Sequence, residues 1–263
     1  MKIKFFFSSF FLLFSSFFSL IPEEWKIKIN AFNALFSEND DSPLNSEGYP
    51  GIYLPLIGNG YFSHSKGVRS DTYFISGVFN NQTTSPSHRA RIPATFAVTI
   101  QNSTTTGTLI DMKEGAYLRR GIVGNTDVTY QLKWYAHMLK KHLYIMELTL
   151  QFTESSPDFV TLNFQNNAGL PSEDINFNSK SFSFDNQPIT LQCGFTTIPE
   201  TSDSSTIEVC MASTDIPSNF QVSRKENNKI FSFITSVHTS IDNNYSFQNQ
   251  INNKQNSNNN NNN

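Results

Sequence analysis

The chain has 263 residues, a formal net charge of -3, 16% charged residues and two cysteines, with a pI near 5.9. That balance lacks the clustered Lys and Arg surface that a phosphate backbone requires, so nucleic acid is not an expected partner. The length suits one large β domain, and the 25 phenylalanines and many asparagines belong in part to the two ends of the chain rather than to its fold.

Lys2 and Lys4 precede an uncharged run from Phe5 to Ile21 in which only serine interrupts phenylalanine, leucine and isoleucine. This has the n-region and h-region of a secretory signal. Ser19 supplies the small residue expected at a cleavage site, but Phe17 two positions earlier does not. At about 17 residues the run also meets the lower limit for a membrane-spanning helix, so an uncleaved anchor is the alternative. A cleaved leader implies a secreted or endolysosomal protein, and an uncleaved one implies attachment to the membrane. Residues 22–46 are mixed, with Asn39-Asp40-Asp41-Ser42-Pro43 as a loop signal, and read as a lead-in.

From Ile57 to Pro93 the sequence predicts two strands joined by loops. Gly58, Asn59 and Gly60 favour a tight turn before Tyr61 and Phe62. Thr72 to Phe79 is rich in β-formers, and Asn80 and Asn81 close it with turn chemistry. His88, Arg89 and Arg91 then form the densest cationic group before Pro93. Ala94 to Ile100 alternates as a half-buried strand, and Asn102 to Gly107 reads as a polar turn.

The clearest period-two run is Val128 to Met138, which places Tyr130, Leu132, Trp134 and Ala136 on one face. Lys140 and Lys141 connect it to His142 to Phe152, where Tyr144, Met146, Leu148, Leu150 and Phe152 share a face, and the two together predict a hairpin. Shorter β runs follow at Phe159 to Phe164, Ser181 to Phe184, Ile189 to Phe195, Thr206 to Ala212, Phe220 to Ser223 and Ile230 to Val237. Many short strands between turn signals predict an all-β sandwich over residues 47–241. Residues 242–263 are dominated by Asn and Gln and are expected to be disordered.

Three segments in order, Gly58-Asn59-Gly60-Tyr61, Ile75-Ser76-Gly77-Val78-Phe79-Asn80 and His88-Arg89-Ala90-Arg91-Ile92-Pro93, resemble the start of the N-terminal domain of glycoside hydrolase family 65, the acid trehalase and maltose phosphorylase class. The resemblance continues through Asp111 to Gly115, Tyr135-Ala136-His137, Leu143 to Leu150 and, more faintly, Phe231 to Val237, so it covers roughly Asn30 to Ile241. Within the class it is nearest to the glucosidases that trim glucosylgalactosyl-hydroxylysine. It implies a large antiparallel supersandwich of the galactose mutarotase-like kind, which in the family precedes a helical (α/α) barrel holding the catalytic acid.

No segment here matches that barrel, so the resemblance transfers no catalytic residue, and it implies a truncated relative that is inactive alone. The alternatives are a free-standing lectin-like module and a docking subunit for a separate catalytic barrel. The expected partner is accordingly a glucose-containing carbohydrate or such a barrel. Asn59, Tyr61, His88, Arg89 and Arg91 are candidates for contacting a sugar or a barrel, with turn geometry and pinning of loops as their other reading. Asp111, Glu114, Asp127 and Glu147 read as surface carboxylates, since nothing in their spacing marks an acid/base pair.

Cys193 and Cys210 permit one disulfide closing a loop of about 16 residues, worth at most roughly 3 kcal/mol; two buried thiols are the alternative. Asn81, Asn102 and Asn244 begin glycosylation sequons, the first two in predicted loops. No metal or cofactor is expected. His137 and His142 fall on opposite faces if both are in strands, and neither a dinucleotide fingerprint, a phosphate-cradling Gly-Lys-Ser/Thr nor a Gly-x-Ser-x-Gly elbow occurs.

Overall fold

The computed structural model describes residues 21–37, 56–65, 72–82, 85–166 and 172–242. The leader up to residue 20, residues 38–55 and the Asn-rich tail with Asn244 lie outside the described residues. The described part is nearly all β. No helix in it is long and apolar enough to cross a membrane.

The segment expected as a lead-in belongs to the folded body. Its helix α1 (Glu23–Asn30) buries Trp25, and its strand β1 (Ala34–Ser37) pairs with Ser103–Asp111 further on. Residues 57–93, expected to give two strands, form six short ones: β2 (Ile57–Gly58), β3 (Phe62–Ser65), β4 (Thr72–Ile75), β5 (Phe79–Gln82), β6 (Ser85–Arg89) and β7 (Ile92–Pro93). The expected single strand from Thr72 to Phe79 is broken at Gly77, whose φ of 82° is a left-handed conformation that only glycine adopts at little cost. Asn80 and Asn81, expected as turn residues, lie inside β5.

After β8 (Val98–Ile100), Asn102 takes a φ of 55° in a turn. The threonines behind it, expected to continue that turn, open the long strand β9 (Ser103–Asp111). Then come β10 (Ala116–Val123), β11 (Thr129–Ala136) and β12 (Leu143–Gln151). The β11–β12 hairpin has the predicted face: Tyr130, Leu132, Trp134, Tyr144, Met146, Leu148 and Leu150 are all buried. The remaining strands are β13 (Phe159–Asn166), β14 (Ile175–Phe184), β15 (Gln187–Thr196), β16 (Glu208–Thr214), β17 (Asn219–Ser223) and β18 (Ile230–Thr239). Strand β14 starts well before the expected Ser181. It turns into β15 through Asp185 and Asn186, both at positive φ (49° and 61°), the geometry that two-residue hairpins require.

One sheet holds nine strands in the order β1-β9-β10-β11-β12-β18-β16-β15-β14, and smaller sheets of three (β17-β13-β8), four (β2-β3-β4-β7) and two strands (β5-β6) complete the body. The pairings are antiparallel throughout. The main core lies between the large sheet and the smaller ones, where Trp134, Tyr144, Met146 and Leu148 meet Phe62, Tyr73, Ile92 and Phe96. The buried Trp134 indole N–H donates to the Phe96 carbonyl at 3.1 Å, so its burial leaves no unmet donor. A second, smaller core on the outer face packs Trp25 and Ala34 onto Leu109, Ala116 and Leu118. Cys193 and Cys210 lie directly opposite each other on β15 and β16 and are joined by a disulfide.

Among the described residues, the nine-stranded sheet is wider than the smaller sheets that face it. Along the inner face of β11 and β12 every side chain is apolar and buried, whereas the corresponding positions of β14 and β15 carry Phe177, Ser179, Thr190 and Gln192, all at least partly exposed. The end of the sheet therefore overhangs the core.

Candidate functional site

The residues singled out in the sequence gather at two places, and at both they bond to the protein itself. At the first, the Asn59 carbonyl oxygen accepts from the Tyr61 and Phe62 backbone N–H groups at 3.1 and 2.8 Å. Its amide donates to the carbonyls of His137 (2.9 Å) and Lys141 (3.1 Å). Asn59 thus ties the turn before β3 to the β11–β12 connection, and Gly60 at φ 91° lets that turn close. The Tyr61 hydroxyl donates to Asp242 at 2.6 Å, its ring meets His142 edge-on at 4.6 Å, and the Lys141 ammonium sits 4.8 Å from its centroid. Burial, aided by the Asp242 carboxylate, raises the Tyr61 phenol well above its ordinary value.

Asp242 also accepts from the Thr239 backbone N–H (2.8 Å) and hydroxyl (3.0 Å). Burial would raise its carboxyl, but the bonds from Tyr61 and Thr239 outweigh that and hold it low. His142 stacks on His238 with ring centroids 4.3 Å apart and planes at 14°. Burial, then the neighbouring His142, holds His238 below its ordinary value, with Asp242 opposing and Lys141 adding. The sequence puts His137 and His142 on opposite faces and gives no signal for His238. His137 instead caps its own turn, its Nδ1 accepting from the N–H groups of Leu139 and Lys140.

At the second place a residue absent from the sequence reading organises the rest. The Asp174 side chain is fully buried. Its oxygens accept from Asn80 (3.3 Å), Gln82 (3.1 Å), His88 (3.0 Å) and both the backbone N–H (2.9 Å) and Nε (3.0 Å) of Arg91. Burial pushes its carboxyl up, yet the bonds from Arg91 and His88 prevail and hold it at about 2. Asn80, from the segment Ile75 to Asn80, and His88 and Arg91, from the segment His88 to Pro93, therefore meet on one carboxylate. Arg89 points outward on β6, exposed, with no hydrogen bond or ion pair to the described residues.

The remaining carboxylates have structural partners. Asp111, expected at the surface, is buried: it accepts from Lys28 of α1 and caps the turn at Lys113 and Glu114. Glu114 takes Lys28 (3.1 Å) and Lys133 (3.0 Å), Asp127 accepts from Ser155 and Glu147 from Tyr135. Burial, with Glu147, pushes the Tyr135 phenol up to about 12. Of the sequons, Asn102 is exposed in its turn, while Asn81, expected in a loop, sits in β5 with its amide near the Glu200 carbonyl at 3.4 Å.

The overhang holds an open groove of about 700 Å³ that the sequence reading did not find. Its floor is β14 to β16, and one wall comes from Pro93 to Thr95, Asn166 and Ser172. Ser179, Thr190, Gln192 and Ser213 line it together with Phe177, and Asp215 is the charged member. Thr190 donates to Asp215 at 2.7 Å and Gln192 to Ser179 at 3.2 Å, which fixes these side chains while each keeps further donor or acceptor capacity. The sequence signal was the alternation of Thr190 and Gln192 with Ile189, Leu191 and Cys193, which marks two faces without saying which one looks inward.

Fold and site together define an antiparallel β-sandwich with a polar, open groove on an overhanging sheet. No known family model matches the chain, and no curated protein does. Among solved structures, a chain provisionally described as a kojibiose phosphorylase from the human microbiome is similar at a TM-score of 0.49 and 11% identity, over 75% of this chain and 31% of that one. The present chain thus spans about a third of the length of that protein.

Proposed function

We propose that this chain is a non-catalytic, carbohydrate-handling β-sandwich of the glycoside hydrolase family 65 kind, acting alongside bond-breaking machinery and inactive alone, and that a glucose-containing glycan lies in the groove on β14 to β16. The observation that carries this reading is the groove itself. Sugars are recognised by several convergent hydroxyl and amide groups beside an apolar plate, and Ser179, Thr190, Gln192, Ser213 and Phe177 supply that combination on one surface. The ordered motifs from Gly58 to Pro93 add the family. Their polar side chains hold the frame: Asn59 and Tyr61 secure one end, and His88 and Arg91 close on Asp174. Asp111, Glu114, Asp127 and Glu147 are likewise engaged within the domain.

The test is binding of the purified chain to a glycan array containing glucosyl, glucosylgalactosyl and trehalose epitopes, followed by titration of any hit against Gln192→Ala. Binding that weakens in the variant supports the reading. Release of glucose or glucose phosphate from such substrates by the chain alone would overturn the non-catalytic part. A second reading, docking onto a separate catalytic barrel, is favoured by the outer face of the large sheet, where Phe184 of β14, Phe195 of β15 and Ile230 and Ile234 of β18 are exposed. Absence of any glycan binding, together with self-association, would favour it.

A further inference from the structure

We propose that His142, His238 and Asp242 bind a divalent first-row transition-metal ion of the zinc class where β12 begins and β18 ends. One ligand atom from each of the three lies within 4.8 Å of the others, and all three residues are half-buried. The topology brings them together from distant parts of the chain: β12 and β18 are neighbours, which sets His142 beside the last turn of β18, and the turn that follows delivers Asp242. Two imidazoles and one carboxylate suit zinc and its neighbours, and leave a position open; calcium and magnesium require oxygen ligands that this place does not offer.

The surroundings orient the ligands. His142 Nδ1 lies 3.0 Å from the Val237 carbonyl, which can only accept, so Nδ1 carries the proton and Nε2 keeps its lone pair. A ring N–H held by a backbone carbonyl is the usual support for a metal-binding histidine. Tyr61 and Thr239 fix Asp242 by donating three hydrogen bonds to one oxygen, Oδ2, which also lies 4.0 Å from His142 Nδ1, and none of the three falls on Oδ1. Oδ1 faces the Lys141 ammonium at 3.8 Å, and that side chain is 57% exposed. An arriving cation would replace this ammonium, which has open solvent to swing into. Ligand atoms around tetrahedral zinc stand about 3.4 Å apart, so binding requires the two nearly parallel rings to tilt apart by tens of degrees until both lone pairs meet at one point.

The experiment uses the full chain without an affinity tag at pH 7.5. Titration calorimetry with Zn2+ and absorption with Co2+ should give one equivalent bound, and Tm should rise by about 5–10 °C when free Zn2+ exceeds Kd a hundredfold. His238→Gln should weaken binding at least tenfold, His137→Gln should leave it unchanged, and Lys141→Gln should tighten it by removing the competing ammonium. Imidazole NMR on the unaltered chain covers the case of a variant that fails to fold: Zn2+ should shift the His142 and His238 ring signals. No binding, binding indifferent to His238→Gln, or shifts confined to His88 and His137 would each overturn the proposal.

Discussion

The two ends of the nine-stranded sheet are built on one backbone plan and filled differently. In β11 and β12 the inward positions hold Tyr130, Leu132, Trp134, Tyr144, Met146 and Leu148, none more than 2% exposed. In β14 and β15 the same face holds Ser179, Thr190 and Gln192, while Leu191 and Phe195 look outward. What differs is the company. The first half lies under the smaller sheets and gains about 1.5–3 kcal/mol for each large apolar side chain it buries. The second half is covered among the described residues only near Ile175 and along the wall from Pro93 to Thr95, so apolar residues beyond that would gain less, and polar ones with spare bonding capacity take their place. The sheet thus separates into a part that stabilises and a more open part, where the proposed glycan would sit.

The sharpest way to break this contrast is to remove bulk from the covered half. Trp134→Ala deletes a fully buried ring and orphans the Phe96 carbonyl, and denaturant unfolding should show a loss of about 3–5 kcal/mol. If the loss is under about 1 kcal/mol, the core is not where the structure puts it.

Next in size is Asp174→Asn, which removes the charge on which Arg91 and His88 converge and should cost about 3 kcal/mol by the same measurement. This carboxyl also sets an acid limit. Its folded value of about 2 lies below the ordinary 3.8, so its stabilising contribution is complete above about pH 4 and disappears as pH falls towards 2. Unfolding midpoints measured between pH 5 and 2 should fall in the native chain, and Asp174→Asn should flatten that slope.

Asn59→Ala, at the far end of the body, deletes four hydrogen bonds and should cost about 2 kcal/mol. The smallest effect belongs to the overhang. Gln192→Ala should change stability by less than about 0.5 kcal/mol, yet weaken glycan binding about fivefold in calorimetry. Equal losses of stability for Trp134→Ala and Gln192→Ala would erase the distinction between the halves.

The same distinction governs what the sequence displayed. The hairpin β11–β12 was plain because one face is buried and the other is not, which is the condition for alternation. Strand β10 went unread because it is covered on both sides at its start: Tyr117 faces the main core, while Ala116 and Leu118 lie under Trp25. Strand β14 was read only at its end, since a run such as Asn176 to Ser183 with little to bury has little pattern to show. Asp174 carried no signal at all. Its importance comes from four residues that approach it from far along the chain, and register, not local sequence, brings them there. The same holds for His238, whose neighbour His142 arrives through strand order alone.

The bridge between Cys193 and Cys210 joins the two strands that run out past the covering layers, and it lies on the back of the groove floor. With sparse packing along its middle, β15 is kept in register with β16 largely by its ladder bonds and this one covalent link. Thiol reductants would therefore loosen the groove floor before the main core, so the glycan binding proposed for it would follow the redox potential of the surrounding medium more closely than overall folding does.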